Sequence, residues 1–140
     1  MNLTLDKLKV KHELGEGLFG KVYCVEDEFK YEYALKCIEK KKIVENEMEK
    51  FVIFEKKILE QVNSPFVVKL YKTINDREYI YFLMKYIDGG DFFRVLRSIG
   101  ICKREQAQFY LGCLLLAIEH LHKKNIIYRD VKPENTVADK

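Results

Sequence analysis

Over residues 103–123 apolar side chains recur at helical spacing, with Tyr110, Cys113, Leu114, Ala117, Ile118 and Leu121 on one stripe. Phe109, Leu111, Leu115 and Leu116 widen that stripe until the helix is apolar almost all round. Such a helix belongs at the centre of a domain, covered on every side. The segment after it is short and mostly polar, so several large side chains are expected to stay bare, each forgoing about 1.5–3 kcal/mol of burial. The chain is therefore expected to lack the layer that covers this helix, and to be poorly soluble alone.

The first part of the chain follows a different period. Residues 10–38 read as strands, and Tyr31-Glu32-Tyr33-Ala34-Leu35-Lys36-Cys37-Ile38 is rich in β-formers. Alternation puts Tyr33, Leu35 and Cys37 on one face and Ala34, Lys36 and Ile38 on the other. A lysine between a small residue and an isoleucine either lies at a sheet edge or meets an anion. Residues 47–62 switch to helical spacing, with Met48, Phe51, Val52, Glu55, Ile58, Leu59 and Val62 at steps of three and four. A carboxylate in that apolar stripe calls for a cation, with Lys36 the natural candidate, or else borders the core and points outward. Asn63-Ser64-Pro65 breaks the helix. Residues 66–71 and 78–84 read as two more strands joined by a turn at Asn75-Asp76-Arg77. About five strands and one helix thus close a small antiparallel unit near Tyr86. Asp88-Gly89-Gly90-Asp91 follows as a turn and a candidate domain joint, and Asp91 or its neighbour can cap a short helix through Arg97 that Gly100 ends.

Composition narrows the function classes. Hydrophobic residues at 48% and charged residues at 34% describe a folding chain, not a disordered one. The net charge of +3 is spread out, and Lys40-Lys41-Lys42 reads as a solvated helix start, so no nucleic-acid partner is expected. Cys24, Cys37, Cys102 and Cys113 form no metal-ligand spacing and read as reduced thiols of a cytoplasmic protein. Met1-Asn2-Leu3-Thr4 opens no signal peptide, and the near-apolar run 109–118 is well short of the ~20 residues that cross a bilayer, so no membrane association is expected.

The chemistry lies in three motifs. Gly15-Glu16-Gly17-Leu18-Phe19-Gly20-Lys21-Val22 contains glycines spaced so that backbone N–H groups can approach a polyphosphate. In a dinucleotide fold the third glycine would open a helix. Here it opens Lys21-Val22-Tyr23-Cys24-Val25, which is strand-like, so the glycines join two strands and the dinucleotide reading fails. Lys36 on the next strand and Glu55 in the helical stripe follow in order. The third motif is Tyr128-Arg129-Asp130-Val131-Lys132-Pro133-Glu134-Asn135.

That segment resembles the catalytic loop of protein kinases, with Tyr128 in place of the usual His. The resemblance runs from about residue 11 to 140. Tyr128-Arg129-Asp130 is similar to the AGC group, and Lys132 follows the Ser/Thr pattern. Ala34-Leu35-Lys36-Cys37-Ile38, the 64–71 segment and Asn125-Ile126-Ile127-Tyr128 resemble cGMP-dependent protein kinases most. An α+β fold is implied: an N-terminal extension at 1–9, a complete five-stranded antiparallel N-lobe with one main helix at 10–86, and a hinge with the first part of a helical C-lobe at 87–140, ending in the catalytic loop.

The resemblance also implies roles. Gly15, Glu16, Gly17, Leu18, Phe19 and Gly20 would cover the phosphates of ATP, and Lys36, paired with Glu55, would contact the α- and β-phosphates. Asp130 resembles the catalytic base, Lys132 would neutralise charge on the transferring phosphoryl group, and Asn135 would hold one Mg²⁺. Leu14, Val22, Ala34, Val68 and Val137 would sandwich the adenine, with Phe82 at the back of the pocket. Backbone groups of Lys85 and Ile87 would bond the adenine edge, and Asp91 would contact the ribose. Glu134, counted with the nucleotide site, in related kinases meets arginines ahead of the target Ser or Thr, which implies basic protein or peptide substrates. Arg129 resembles the arginine that pairs with an activation-loop phosphate. A cyclic-nucleotide-binding regulatory region is implied for a longer form.

Departures from the family pattern are Leu18 at the glycine-loop tip, Lys85 where a hinge Glu is common, Thr136 beside Asn135, and an ending before any Asp-Phe-Gly segment. Two readings result: a Ser/Thr kinase domain fragment, or an inactive nucleotide-binding or interaction module. The isolated chain is expected to show no measurable phosphotransfer.

Overall fold

The computed structural model describes residues 3–139; Met1 and Asn2 of the 1–9 extension, and Lys140, lie outside the described residues. Two compact units divide the chain, Met1–Gln61 with Lys69–Tyr86, and Val62–Val68 with Ile87–Lys140.

The first unit is a five-stranded sheet of β1 (Lys9–Gly17), β2 (Gly20–Glu26), β3 (Glu32–Glu39), β4 (Leu70–Asn75) and β5 (Tyr79–Lys85). Their order is β1-β2-β3-β5-β4, every neighbour antiparallel. Helices α1 (Lys40–Glu45) and α2 (Glu49–Gln61) follow β3. The alternation along β3 sorts the core into two clusters. Tyr33 and Leu35 join Val25 and Leu83 on one face, where Leu3, Leu5 and Leu8 pack as a strap around a 3-10 turn at Leu5–Lys7. Lys72 Nζ donates to the Leu3 carbonyl at 2.7 Å, tying the strap to β4. Ile38 and Phe82 join Ile43 and Val52 of the helices on the other face.

Both hairpins around the centre of the sheet are closed by an aspartate and a tyrosine. Asp27, only 4% exposed, accepts from Phe29 N, Tyr31 N and the Tyr33 hydroxyl at 2.9, 3.0 and 3.1 Å. Three donors offset the cost of burying that carboxylate. Asp76 accepts from Glu78 N, Tyr79 N and the Tyr81 hydroxyl at 2.8, 2.7 and 2.7 Å.

Two elements differ from the sequence expectation. The strand expected at 66–71 begins at Leu70, because Ser64 captures the preceding backbone: Phe66 N bonds its hydroxyl and Val67 N its carbonyl, at 3.2 Å each. Pairing with β5 starts only where Lys85 N meets the Lys69 carbonyl at 2.8 Å. In α2 the apolar stripe is narrower than its spacing implies, since Val52 is buried while Phe51 is 57% exposed.

In the second unit, α3 (Phe92–Ile99) starts where Asp91 Oδ1 accepts Arg94 N at 2.9 Å and ends at Gly100, with φ 72°. Helix α4 (Arg104–Lys123) ends in a left-handed residue, Asn125 at φ 58°, with Asn125 N bonded to His122 O and Ile126 N to Leu121 O. That pair of bonds satisfies the last carbonyls and turns the chain out of the helix. Phe109, Leu111, Leu115 and Leu116 of α4 are exposed among the described residues. No described helix is long and apolar enough to cross a membrane.

Candidate active site

The glycine segment is the β1–β2 hairpin, with Gly15 opposite Val22, Glu16 opposite Lys21 and Gly17 opposite Gly20. Leu18 at its tip is exposed, whereas Phe19 folds back onto the cluster of Ile38 and Phe82, and its carbonyl accepts Glu39 N at 2.8 Å. Gly20 permits this close approach, since a Cβ there would lie 2.0 Å from the Cys37 carbonyl oxygen. Gly15 has open space around it, as a surface offered to a ligand requires.

Lys36 stands opposite Val22 on one side and Phe82 on the other. Its Nζ lies 2.7 Å from Glu55 Oε1, with the two side chains 33% and 42% exposed. Glu55 is therefore neither buried nor unpaired. An ion pair this exposed adds at most about 1 kcal/mol of stability, so its effect is to hold the ammonium in place. Ala34 is nearly buried opposite Met84, on the Lys36 face of the sheet. Phe82 is fully buried in the core and presents no surface to a ligand. Met84, two residues further along the same face, is only partly buried and so, unlike Phe82, keeps exposed surface. Period-2 spacing from Phe82 is the signal that points to it. Leu14 and Val22 are half-buried in β1 and β2. The Lys85 backbone N–H is taken by the Lys69 carbonyl.

The second unit carries the other group. Lys132 Nζ at 3.1 Å and Asn135 Nδ2 at 2.7 Å converge on one oxygen of Asp130, Oδ2. Asn135 Nδ2 also donates to the Asp130 carbonyl at 3.1 Å, so its amide nitrogen is committed to Asp130 and Oδ1 is turned away from it. Pro133–Asn135 is a 3-10 turn that holds Glu134 exposed, and Arg129 precedes Asp130 in a left-handed conformation at φ 64°. No sequence pattern announces that conformation at an arginine. Asp91 and Val137 form an isolated antiparallel bridge, which brings those two positions together. Both Asp91 oxygens engage Arg94, through its backbone N–H and its Nε at 3.0 Å, so a ribose hydroxyl would have to share them. Val68 and Ile87 are half-buried in this unit.

The Lys132 ammonium, then the Asn135 amide, hold the Asp130 carboxyl below its ordinary value of 3.8. A depressed carboxyl contributes its charge above its ordinary value and loses it only as pH falls through the folded one. Asp130 thus stays ionised throughout the neutral range. Lys132→Met is expected to move its titration upward, as read by ¹³C NMR of the carboxyl carbon; an unmoved or lowered titration would refute the ion pair as the cause.

The first unit thus carries a strand lysine held by a helix carboxylate beside a glycine hairpin, and the second a loop Asp-x-Lys-x-x-Asn with converging donors. Residues 8–140 match the protein kinase domain family, and the chain belongs to that family. It is similar to cGMP-dependent protein kinases: 42% identical over 139 residues to that of Plasmodium berghei, covering 99% of this chain and 16% of the relative. To isozyme 1 of Drosophila melanogaster it is 40% identical over 141 residues, covering 99% and 18%, and to cGMP-dependent protein kinase 2 of Homo sapiens 41% over 133 residues, covering 94% and 18%. The chain thus spans less than a fifth of the length of these relatives.

Proposed function

We propose that this chain supplies the nucleotide-binding and catalytic-loop residues of a Ser/Thr kinase that moves the γ-phosphoryl group of ATP to a hydroxyl on a basic protein or peptide. The observation that carries the reading is the convergence of Lys132 and Asn135 on Asp130 Oδ2. It leaves Asp130 Oδ1 to take the hydrogen bond of a substrate hydroxyl. As that oxygen attacks the γ-phosphorus, the bond to the β–γ bridging oxygen breaks, and the hydroxyl proton passes toward Asp130. Lys132 offsets charge on the phosphoryl group in transit, and Lys36, steadied by Glu55, holds the α- and β-phosphates. Gly15, Glu16, Gly17, Leu18, Phe19 and Gly20 form the hairpin over those phosphates. By the resemblance, Leu14, Val22 and Ala34 of the first unit and Val68 and Val137 of the second would each contact the adenine, with Met84, rather than the fully buried Phe82, behind it.

Asn135 suits Mg²⁺, because its committed nitrogen leaves a hard amide oxygen as donor. Among the described residues no cluster of three or more His, Cys, Asp or Glu could hold a metal ion by itself. When bound, Mg²⁺ would neutralise charge on the phosphates. By analogy with the names of those relatives, dependence on cGMP is part of this reading.

The test uses the kinase precipitated from its own cells with an antibody to this chain, given labelled ATP, Mg²⁺ and a serine peptide with preceding arginines. Transfer is expected, stimulated by cGMP, and lost in the Asp130→Asn form. Nucleotide binding without transfer would favour an inactive binding module, a reading that the exposed Leu18 at the hairpin tip supports. Transfer that survives Asp130→Asn would sink the assignment of the base.

A further inference from the structure

We propose that Thr136 is a positioning residue that fixes Asn135 and Asp130 through its side-chain hydroxyl, an inference that rests on the kinase reading above. The Thr136 hydroxyl donates to the Lys132 carbonyl at 3.1 Å, and Asn135 N donates to the same carbonyl at 3.0 Å. Thr136 N bonds Pro133 O at 3.2 Å. The turn carrying Lys132 and Asn135 is therefore closed by two backbone bonds and one side-chain bond. On its other side Thr136 offers its carbonyl to Phe92 N at 2.7 Å, and Ala138 N bonds Gly90 O at 3.0 Å. Those bonds flank the Asp91–Val137 bridge. Gly89 lets the strands approach, because a Cβ there would sit 2.1 Å from the Ala138 carbonyl oxygen. Thr136 is the joint between the turn that bears Asn135 and the segment that bears Asp91.

An apolar residue at 136 keeps every backbone bond in that list and removes only the hydroxyl. Threonine is stiff at χ1, so its hydroxyl stays aimed at the carbonyl at little entropic cost. Asn135 depends on that rigidity. Its amide oxygen and nitrogen differ only by a half-turn of the terminal group, and two Asp130 acceptors, the carbonyl and Oδ2, hold the nitrogen while the turn's backbone keeps them within its reach. A looser turn would let the nitrogen rotate outward and present a donor where a cation needs an acceptor.

The test compares Thr136→Val and Thr136→Ser in the ¹⁵N-labelled chain. Solvent exchange of the Asn135 side-chain amide is expected to quicken roughly three- to tenfold in Thr136→Val, the worth of one ordinary hydrogen bond. Thr136→Ser is expected to return it to within about twofold of the parent. Affinity for Mn²⁺ in the presence of ADP is expected to fall and recover in the same order. Thr136→Ala replaces the valine form if that form does not fold. Unchanged amide exchange in the apolar variant, or failure of serine to restore it, overturns the role of the hydroxyl. A parent chain that binds no Mn²⁺ with ADP overturns the reading of Asn135 as a metal ligand instead, while the amide exchange still decides the matter for Thr136.

Discussion

Gly20→Val is expected to lower the thermal midpoint by about 10–17 °C, the result of roughly 3–5 kcal/mol lost from a domain of this size. The added Cβ would meet the Cys37 carbonyl at 2.0 Å from its oxygen and 3.1 Å from its carbon. Both are backbone atoms of the neighbouring strand, so no side chain can swing aside. β2 and β3 must part where Gly20 faces Ile38, and the bond from Glu39 N to the Phe19 carbonyl goes with them. Phe19 then loses its seat on the Ile38 and Phe82 cluster. Gly15→Ala is the control, because nothing lies within 4 Å of its added carbon. Melting followed by circular dichroism separates the two; equal midpoints would show that the hairpin tolerates the collision.

Lys36→Met reverses the pattern, with a large effect on ligand binding and a small one on folding. A charge-assisted bond to phosphate is worth about 1.5–3 kcal/mol, so affinity for MgATP is expected to fall roughly 10- to 100-fold. The midpoint is expected to stay within about 4 °C, since the Lys36–Glu55 pair is too exposed to stabilise much. Glu55→Gln acts only through the lysine, so adding it to Lys36→Met is expected to cost nothing further. Calorimetric titration of the single and double variants checks this. Losses that simply add would mean that Glu55 meets the nucleotide on its own account.

Some of this was legible because local chemistry and long-range packing agree. Asp91 and Gly100 mark the two ends of α3, since a cap and a left-handed stop are written into single residues. The faces of β3 follow from alternation alone. Lys36 and Glu55 each sat among apolar neighbours that gave them no other counter-charge, and they meet at 2.7 Å. What escaped has a physical reason too. Leu3, Leu5 and Leu8 form too short a run to show a period, yet they complete the outer face of the sheet. Spacing along α2 gives the period of its stripe without its edge, so Phe51 was placed inward. Likewise nothing near Asp27 in the sequence declares that two backbone amides and a tyrosine will surround it. Thr136 stood out only as an exception, because its hydroxyl bond depends on the turn already being formed.

The paired aspartate–tyrosine locks impose a parity rule on β3. Asp27 anchors the strand's entry through Tyr33, and Asp76 anchors β5 beside it through Tyr81. An odd insertion within β3 would exchange its two sides and carry Lys36 to the one lined by Leu3 and Leu83. An even insertion would preserve the side but slide Lys36 about 7 Å along the strand, out of reach of Glu55. The strand that holds the ammonium thus takes neither kind of insertion without parting Lys36 from its carboxylate on α2.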